Sequence, residues 1–159
     1  MRGAGIVSVE QQRDVFYYVT VMNENYAQPS LPAGVADAVV RGGYRFATHE
    51  GAVARVRLLG SGTILREVLA AAELLAADWN VGSDVYSITS FSELARDARE
   101  AERWNRLHPL AEPRRSHVAS LLPGAAPVIA STDYVRAYAE LIAPHVRAPF
   151  TALGTDGFG

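Results

Sequence analysis

The chain's densest run of chemically capable side chains is Asn23-Glu24-Asn25-Tyr26, which follows directly on the apolar string Val15–Met22. A carboxylate at the end of a buried strand can serve as acid, base or hydrogen-bond acceptor. The same residues can equally form a hydrogen-bonded corner that holds the following segment in place. A second candidate is Gly60-Ser61-Gly62, whose glycines imitate the opening of a dinucleotide-binding loop. Its third glycine would fall at Leu65, where a bulky side chain belongs against a sheet, so the run reads as a tight strand-to-helix turn. Hydroxyls at the starts of expected helices, Ser61, Thr63, Ser90, Ser131, Thr132 and Thr155, could receive an anion, but Ser and Thr at such places are the usual helix caps.

Other chemistries are excluded by what the chain lacks. It has no cysteine, and all 15 of its basic residues are arginine. Thiol catalysis, cysteine-ligated metals, Schiff-base lysines and the phosphate-loop lysine are therefore ruled out. His49, His108, His117 and His145 are far apart and none sits in a His-Glu-x-x-His spacing, so no metal site is legible. His108 precedes Pro109 at a helix end, where it is expected to meet the terminal carbonyls. No Gly-x-Ser-x-Gly elbow supplies a serine nucleophile. Arg96–Arg106 mixes Arg and Glu at i,i+4 spacing, Arg96 with Glu100 and Glu102 with Arg106, as on a solvated helix. Trp104 in its middle implies that one face is covered by another part of the protein or by a partner.

The elements that must position these residues alternate. Val15–Met22 is expected as a strand buried on both faces, residues 27–34 as an extended linker with two prolines, and Val35–Arg41 as a short helix stopped at Gly42-Gly43. Val53–Leu59 reads as a strand and Thr63–Trp79 as a helix, with Ile64, Leu65, Val68, Leu69, Ala72 and Leu75 on one stripe. Asp84–Thr89 is a strand, and Ser90 with Glu93 is a capping box opening a helix that Pro109 ends. Val128–Ala130 is a short strand, Ser131-Thr132-Asp133 offers caps for a helix bearing Tyr134, Val135, Tyr138, Leu141 and Ile142, and Phe150–Leu153 is a last strand. Strands alternating with helices of this length call for βαβ crossovers, hence an α/β fold whose largely parallel sheet is covered on both faces.

Composition sets the class around that fold. A chain of 159 residues, 49% hydrophobic and 20% charged, can bury a core without staples. A net charge of −2 without any run of like charge carries no footprint of nucleic-acid or anionic-membrane binding. The longest apolar run, Val68–Trp79, is interrupted by Glu73 and Asp78 and is too short to span a bilayer. The N-terminus lacks a clean secretory cleavage site, so the expected location is cytoplasmic.

Six strings carry a more specific signal. They are Asp14-Val-Phe-Tyr-Tyr-Val-Thr-Val-Met-Asn-Glu-Asn-Tyr26, Leu58-Leu-Gly-Ser-Gly-Thr-Ile-Leu-Arg66, Thr89-Ser-Phe-Ser-Glu-Leu94, Ala101-Glu-Arg-Trp-Asn-Arg-Leu-His-Pro109, Ala130-Ser-Thr-Asp-Tyr134 and Leu153-Gly-Thr-Asp-Gly-Phe-Gly159. In this order, and from about Val9 to Gly159, the chain resembles the E1 component of the pyruvate dehydrogenase complex, of the homodimeric bacterial type. The resemblance implies a thiamine diphosphate- and Mg²⁺-dependent enzyme that decarboxylates pyruvate and acetylates the lipoyl group of the E2 component. It also implies a three-layer α/β/α sandwich with a mostly parallel mixed sheet, like the transketolase C-terminal domain, preceded by a strand and linker from the middle domain. The corresponding domains are 1–44, the end of the middle, pyrimidine-binding domain with the linker, and 45–159, a C-terminal domain truncated at its end.

The resemblance also says what is missing. The family's Gly-Asp-Gly diphosphate and Mg²⁺ motif and its cofactor-activating glutamate fall upstream of this sequence, and an Arg-Ser-Asp segment falls beyond it. The chain is thus expected to be a fragment supplying a structural, dimer-supporting C-terminal domain, inactive alone and binding no cofactor by itself. Its implied partners are the rest of E1, a second E1 subunit and the lipoyl-bearing E2. Glu24, Tyr26 and Gln28 are the residues that the resemblance places near the cofactor, by proximity only; Ala27 stands where relatives carry His, which removes that position from proton transfer. The alternative is a stand-alone interaction or dimerisation module that meets its partner through Trp104 and the mixed-charge helix. A third reading, nucleotide binding at Gly60–Thr63, is expected to fail.

Overall fold

The computed structural model describes residues 25–157. The chain divides after Ser30 into two units. Of the first unit, residues 25–30 are described; they form no helix or strand and are exposed apart from half-buried Tyr26. The strand expected at 15–22 lies outside the described residues.

The second unit opens with a short helix, α1 (Ala36–Val40), which ends where Gly42-Gly43 was expected to stop it. A five-stranded sheet follows, built from β1 (Gly43–His49), β2 (Ala54–Ser61), β3 (Val81–Ile88), β4 (Val128–Ser131) and β5 (Phe150–Leu153) in the spatial order β1-β3-β2-β4-β5. Strands β3, β2, β4 and β5 run parallel, and β1 lies antiparallel along the edge of β3. Between them come α2 (Ile64–Trp79), α3 (Phe91–Leu107), α4 (His117–Leu121), α5 (Arg136–Glu140) and a 3₁₀ turn at Ala143–His145. The expected three-layer α/β sandwich with a mostly parallel mixed sheet is what the structure contains.

Alternation along the strands sorts the core into two layers. Leu58 and Val85 face α2, where Val68 and Ala72 are buried with Ile64, Leu65, Leu69 and Leu75 around them. The stripe predicted for this helix is therefore the one that packs. Leu59, Tyr86 and Ile88 point the other way, into a larger cluster with Phe91, Leu94, Ala95 and Ala98 of α3, Val118 of α4, Ala139 of α5, and Ile142. One residue of slip would exchange the two sets, so burial on both faces fixes the register. Burial pushes the Tyr86 phenol up, with Asp84 adding to the effect, so it stays neutral inside this layer.

Three elements differ from expectation. Strand β1 has no counterpart in the sequence reading, because its register shifts between Arg45 and Ala47 and breaks the period-2 signal. The helix expected across 134–142 is cut to α5 and a 3₁₀ turn. Its first residues are diverted: the Tyr134 N–H donates to Thr132 Oγ1, and the Tyr134 carbonyl accepts from the Thr155 N–H at 2.9 Å rather than from a helical amide. Tyr134 and Val135 consequently stay exposed, while Tyr138 and Ile142 turn inward. The capping box at α3 forms by half. Ser90 Oγ accepts from the Glu93 N–H at 3.1 Å, but the Glu93 carboxylate turns to Arg96 instead of reaching back. That guanidinium holds the Glu93 carboxyl below its ordinary range.

Ser90 still satisfies one of the first free amides of a 17-residue helix. Ser90→Ala is expected to lower the unfolding free energy by about 1 kcal/mol. Urea unfolding checks this as a shifted midpoint at unchanged slope.

Candidate functional site

In doubly wound sheets ligands enter at the switch point, between two neighbouring strands from which the chain continues away towards opposite edges of the sheet. Here those strands are β2 and β4, which pair directly, with Gly60 opposite Ser131. Their helices, α2 and α5, pack into the two different core layers. Ser61, Thr63, Ser131 and Thr132, four of the hydroxyls singled out in the sequence, all stand at this end of the sheet. One of them has a structural role. Thr132 is buried, its Oγ1 accepts from Tyr134 and its N–H donates to the Leu153 carbonyl at 3.1 Å. Thr63 adopts helical angles and makes no side-chain cap.

The glycines of the turn are used in packing. A Cβ on Gly60 would lie 2.7 Å from Leu65 Cα and 3.2 Å from Leu65 N, so the first turn of α2 rests on the strand backbone. Gly62 has φ +60 and open surroundings, which identifies it as the residue that makes the turn. The strand-to-helix reading of Gly60-Ser61-Gly62 is the one the structure contains.

Three of the four histidines are accounted for by the fold. His108 Nδ1 lies 3.0 Å from the Trp104 carbonyl at the end of α3, as its place before Pro109 implied. His117 is buried, with Nε2 2.8 Å from the Gly43 carbonyl and its backbone N–H donating to Asp97 Oδ2 at 2.5 Å, which ties α4 to β1 and α3. His145 Nδ1 lies 2.7 Å from Glu102 Oε1, so the expected Glu102–Arg106 pair gives way to a longer-range contact. Arg96 does pair with Glu100, and with Glu93 as well.

A cleft of about 580 Å³ lies between the C-terminal half of α3, the connection through 113–124 and the 3₁₀ turn. Trp104 stands beside it, stacked at 3.6 Å on the His108 ring and covered on its face by the Arg114 guanidinium at 3.5 Å. The cover that the sequence implied for this tryptophan thus comes from the chain itself. Arg114, Arg115 and Arg147, which line the cleft, were not singled out from the sequence. The signal was weak, since isolated arginines are ordinary surface residues and only chain folding brings residue 147 to residue 114.

Of the residues that the family resemblance places near a cofactor, Tyr26 is half-buried and Gln28 exposed in the first unit, and Glu24 lies outside the described residues. Among the described residues no group of three or more His, Asp or Glu side chains could hold a metal ion. No described helix is long and apolar enough to cross a membrane.

Comparison with known proteins adds the family. The chain is 57% identical over 152 residues to the pyruvate dehydrogenase E1 component of Cupriavidus necator, covering 94% of this chain and 17% of that protein. It is 52% identical over 151 residues to the Escherichia coli K12 pyruvate dehydrogenase E1 component, with 94% and 17% covered. The Pseudomonas aeruginosa E1 component is also 52% identical, over 154 residues, with 95% and 18% covered. The chain thus spans less than a fifth of the length of these relatives. Residues 42–159 match the transketolase-like TK C-terminal domain, the segment that holds all five strands and both core layers, and the chain belongs to that family.

Proposed function

We propose that the chain serves as the transketolase-type C-terminal domain of a pyruvate dehydrogenase E1 component, together with the end of the domain before it. The observation that carries this is 57% identity to one such E1 over 94% of the chain, with residues 42–159 matching the transketolase-like C-terminal domain. In this reading residues 1–44 are the end of the middle domain and linker, and 45–159 the C-terminal domain. Thiamine diphosphate and Mg²⁺ are held elsewhere in the intact enzyme, with Glu24, Tyr26 and Gln28 near the entrance to that site. The partners are the remainder of E1, a second E1 subunit and the lipoyl-bearing E2 component, in the cytoplasm. The domain's work is to support the fold and the dimer, and it does not decarboxylate pyruvate alone.

Two assays test the reading. The purified chain, given pyruvate, Mg²⁺, thiamine diphosphate and lipoyl-bearing E2, is expected to show no acetyl transfer; turnover would overturn the structural role. A Cupriavidus necator E1 whose matching segment is replaced by this chain is expected to dimerise and to acetylate E2. A chimera that folds, dimerises and binds the cofactor yet stays inactive would sink the assignment. The stand-alone module reading is less supported, because the Trp104 ring it relied on is covered by Arg114 and His108. It predicts a discrete, concentration-independent oligomer of the isolated chain in sedimentation.

A further inference from the structure

The cleft beside Trp104 is cationic and partly preorganised. Arg114, Arg115 and Arg147 line it against a single carboxylate, Glu102, and that carboxylate already meets His145 at 2.7 Å. Arg114 is held from two sides. Its guanidinium lies on the Trp104 ring at 3.5 Å, and its backbone is gripped by Asn105, whose Oδ1 accepts from the Arg114 N–H at 2.7 Å and whose Nδ2 donates to the Arg114 carbonyl at 3.0 Å. A guanidinium fixed by its face keeps its N–H edge for an oxyanion, and less side-chain entropy is lost when one binds. Arg115 is steadied by one bond, Nη2 to the Ala119 carbonyl at 2.8 Å, which leaves its other N–H groups. Arg147 is exposed, and among the described residues it has no ion pair.

A fourth positive charge stands behind the cleft wall. Arg57, 8% exposed on β2, donates to the carbonyls of Pro123 and Ala126 rather than to a carboxylate. Pro123 itself lines the cleft. Asp84, the register partner of Arg57 on β3, already pairs with Arg55 at 3.2 Å, so the charge of Arg57 is offset only in part, and a concave wall concentrates what remains. The cleft volume of about 580 Å³ lies within the roughly 300–1,000 Å³ of small-molecule sites.

We propose that this cleft binds a small multivalent oxyanion, a diphosphate or a tricarboxylate, between the Trp104-stacked Arg114, Arg115 and Arg147. Arg114 supplies the fixed fork, Arg147 closes from the opposite wall, and Asn105 acts as a positioning residue through the backbone of Arg114. The site belongs to this domain's own residues and does not depend on the E1 assignment.

Trp104 is a built-in reporter. The chain has two tryptophans, and the other, Trp79, is exposed at the end of α2, so Trp79→Phe isolates the Trp104 signal. The full chain carrying that change is titrated with pyrophosphate and, separately, citrate, with acetate at matched ionic strength as the monovalent control. Saturable change in Trp104 emission, matched by calorimetry, is expected with pyrophosphate or citrate and not with acetate; which of the two binds tells a phosphate ligand from a carboxylate one. Arg147→Gln, at an exposed position, is expected to weaken binding about tenfold, the loss that one charge-assisted hydrogen bond carries. Arg114→Lys keeps the charge but removes the fork, and is expected to lose about tenfold as well. No saturation by either anion would overturn the proposal, as would unchanged affinity in Arg147→Gln and Arg114→Lys.

Discussion

Phe91→Ala is expected to cost the domain about 3–5 kcal/mol, the range for deleting a fully buried ring. Phe91 is 0% exposed and is the first residue of α3, directly after the Ser90 cap. Its ring meets Tyr138 edge-on, with centroids 5.6 Å apart and planes at 81°, so it joins the start of α3 to α5 across the larger core layer. Tyr138 is only partly buried and α5 is five residues long, so little else can close the gap. Domains are stable by about 5–15 kcal/mol in all, so this one truncation removes a large share. Urea unfolding should show a much lower midpoint, and Phe91→Leu, which keeps most of the volume, a smaller drop. A loss under about 1 kcal/mol for Phe91→Ala would mean that the ring does not hold the layer together.

Gly60→Ala is the second large effect. The added methyl would stand 2.7 Å from Leu65 Cα, a backbone-borne atom that cannot swing away as a side-chain tip can. Either β2 shifts or the first turn of α2 lifts, and Leu65 then leaves its place against the first core layer. Overpacking of this kind costs about 1–3 kcal/mol, and the upper end is expected here because the contact is with main chain. Gly62→Ala separates close packing from turn geometry: nothing lies within 4 Å of its Cβ position, so its cost comes from the left-handed φ of +60 alone. That cost is about 1 kcal/mol. Equal losses at the two positions, measured by urea unfolding, would refute the packing role of Gly60.

Much of the architecture was legible along the chain because its signals are local. The α2 stripe, the Ser90 cap, the Pro109 stop and the run of short strands each depend on residues within one or two turns of one another. The Gly60–Leu65 relation was legible for the same reason, since a bulky residue five positions after the glycine already argued against a phosphate loop. Less legible were β1, where a bulge hides the alternation, and the start of α5, where a hydrogen bond from Thr155, 21 positions along the chain from Tyr134, outcompetes the helix. No window of sequence contains both partners of that bond.

The candidate site divides in the same way. Trp104 announced itself as a ring needing cover, which is a property of its own helix. His108, four residues on at the end of the same helix, covers it locally, whereas Arg114 was brought to it by how the chain returns after Pro109. The convergence of Arg114, Arg115 and Arg147 around one cleft, with Arg57 behind it, required the whole sandwich. By itself the sequence determined the class of fold, the absence of thiol and lysine chemistry, and a family resemblance carried by six strings in order. Tertiary structure alone decided which charges meet, because periodicity and capping act over a few residues while an electrostatic site sums groups that only packing brings within reach.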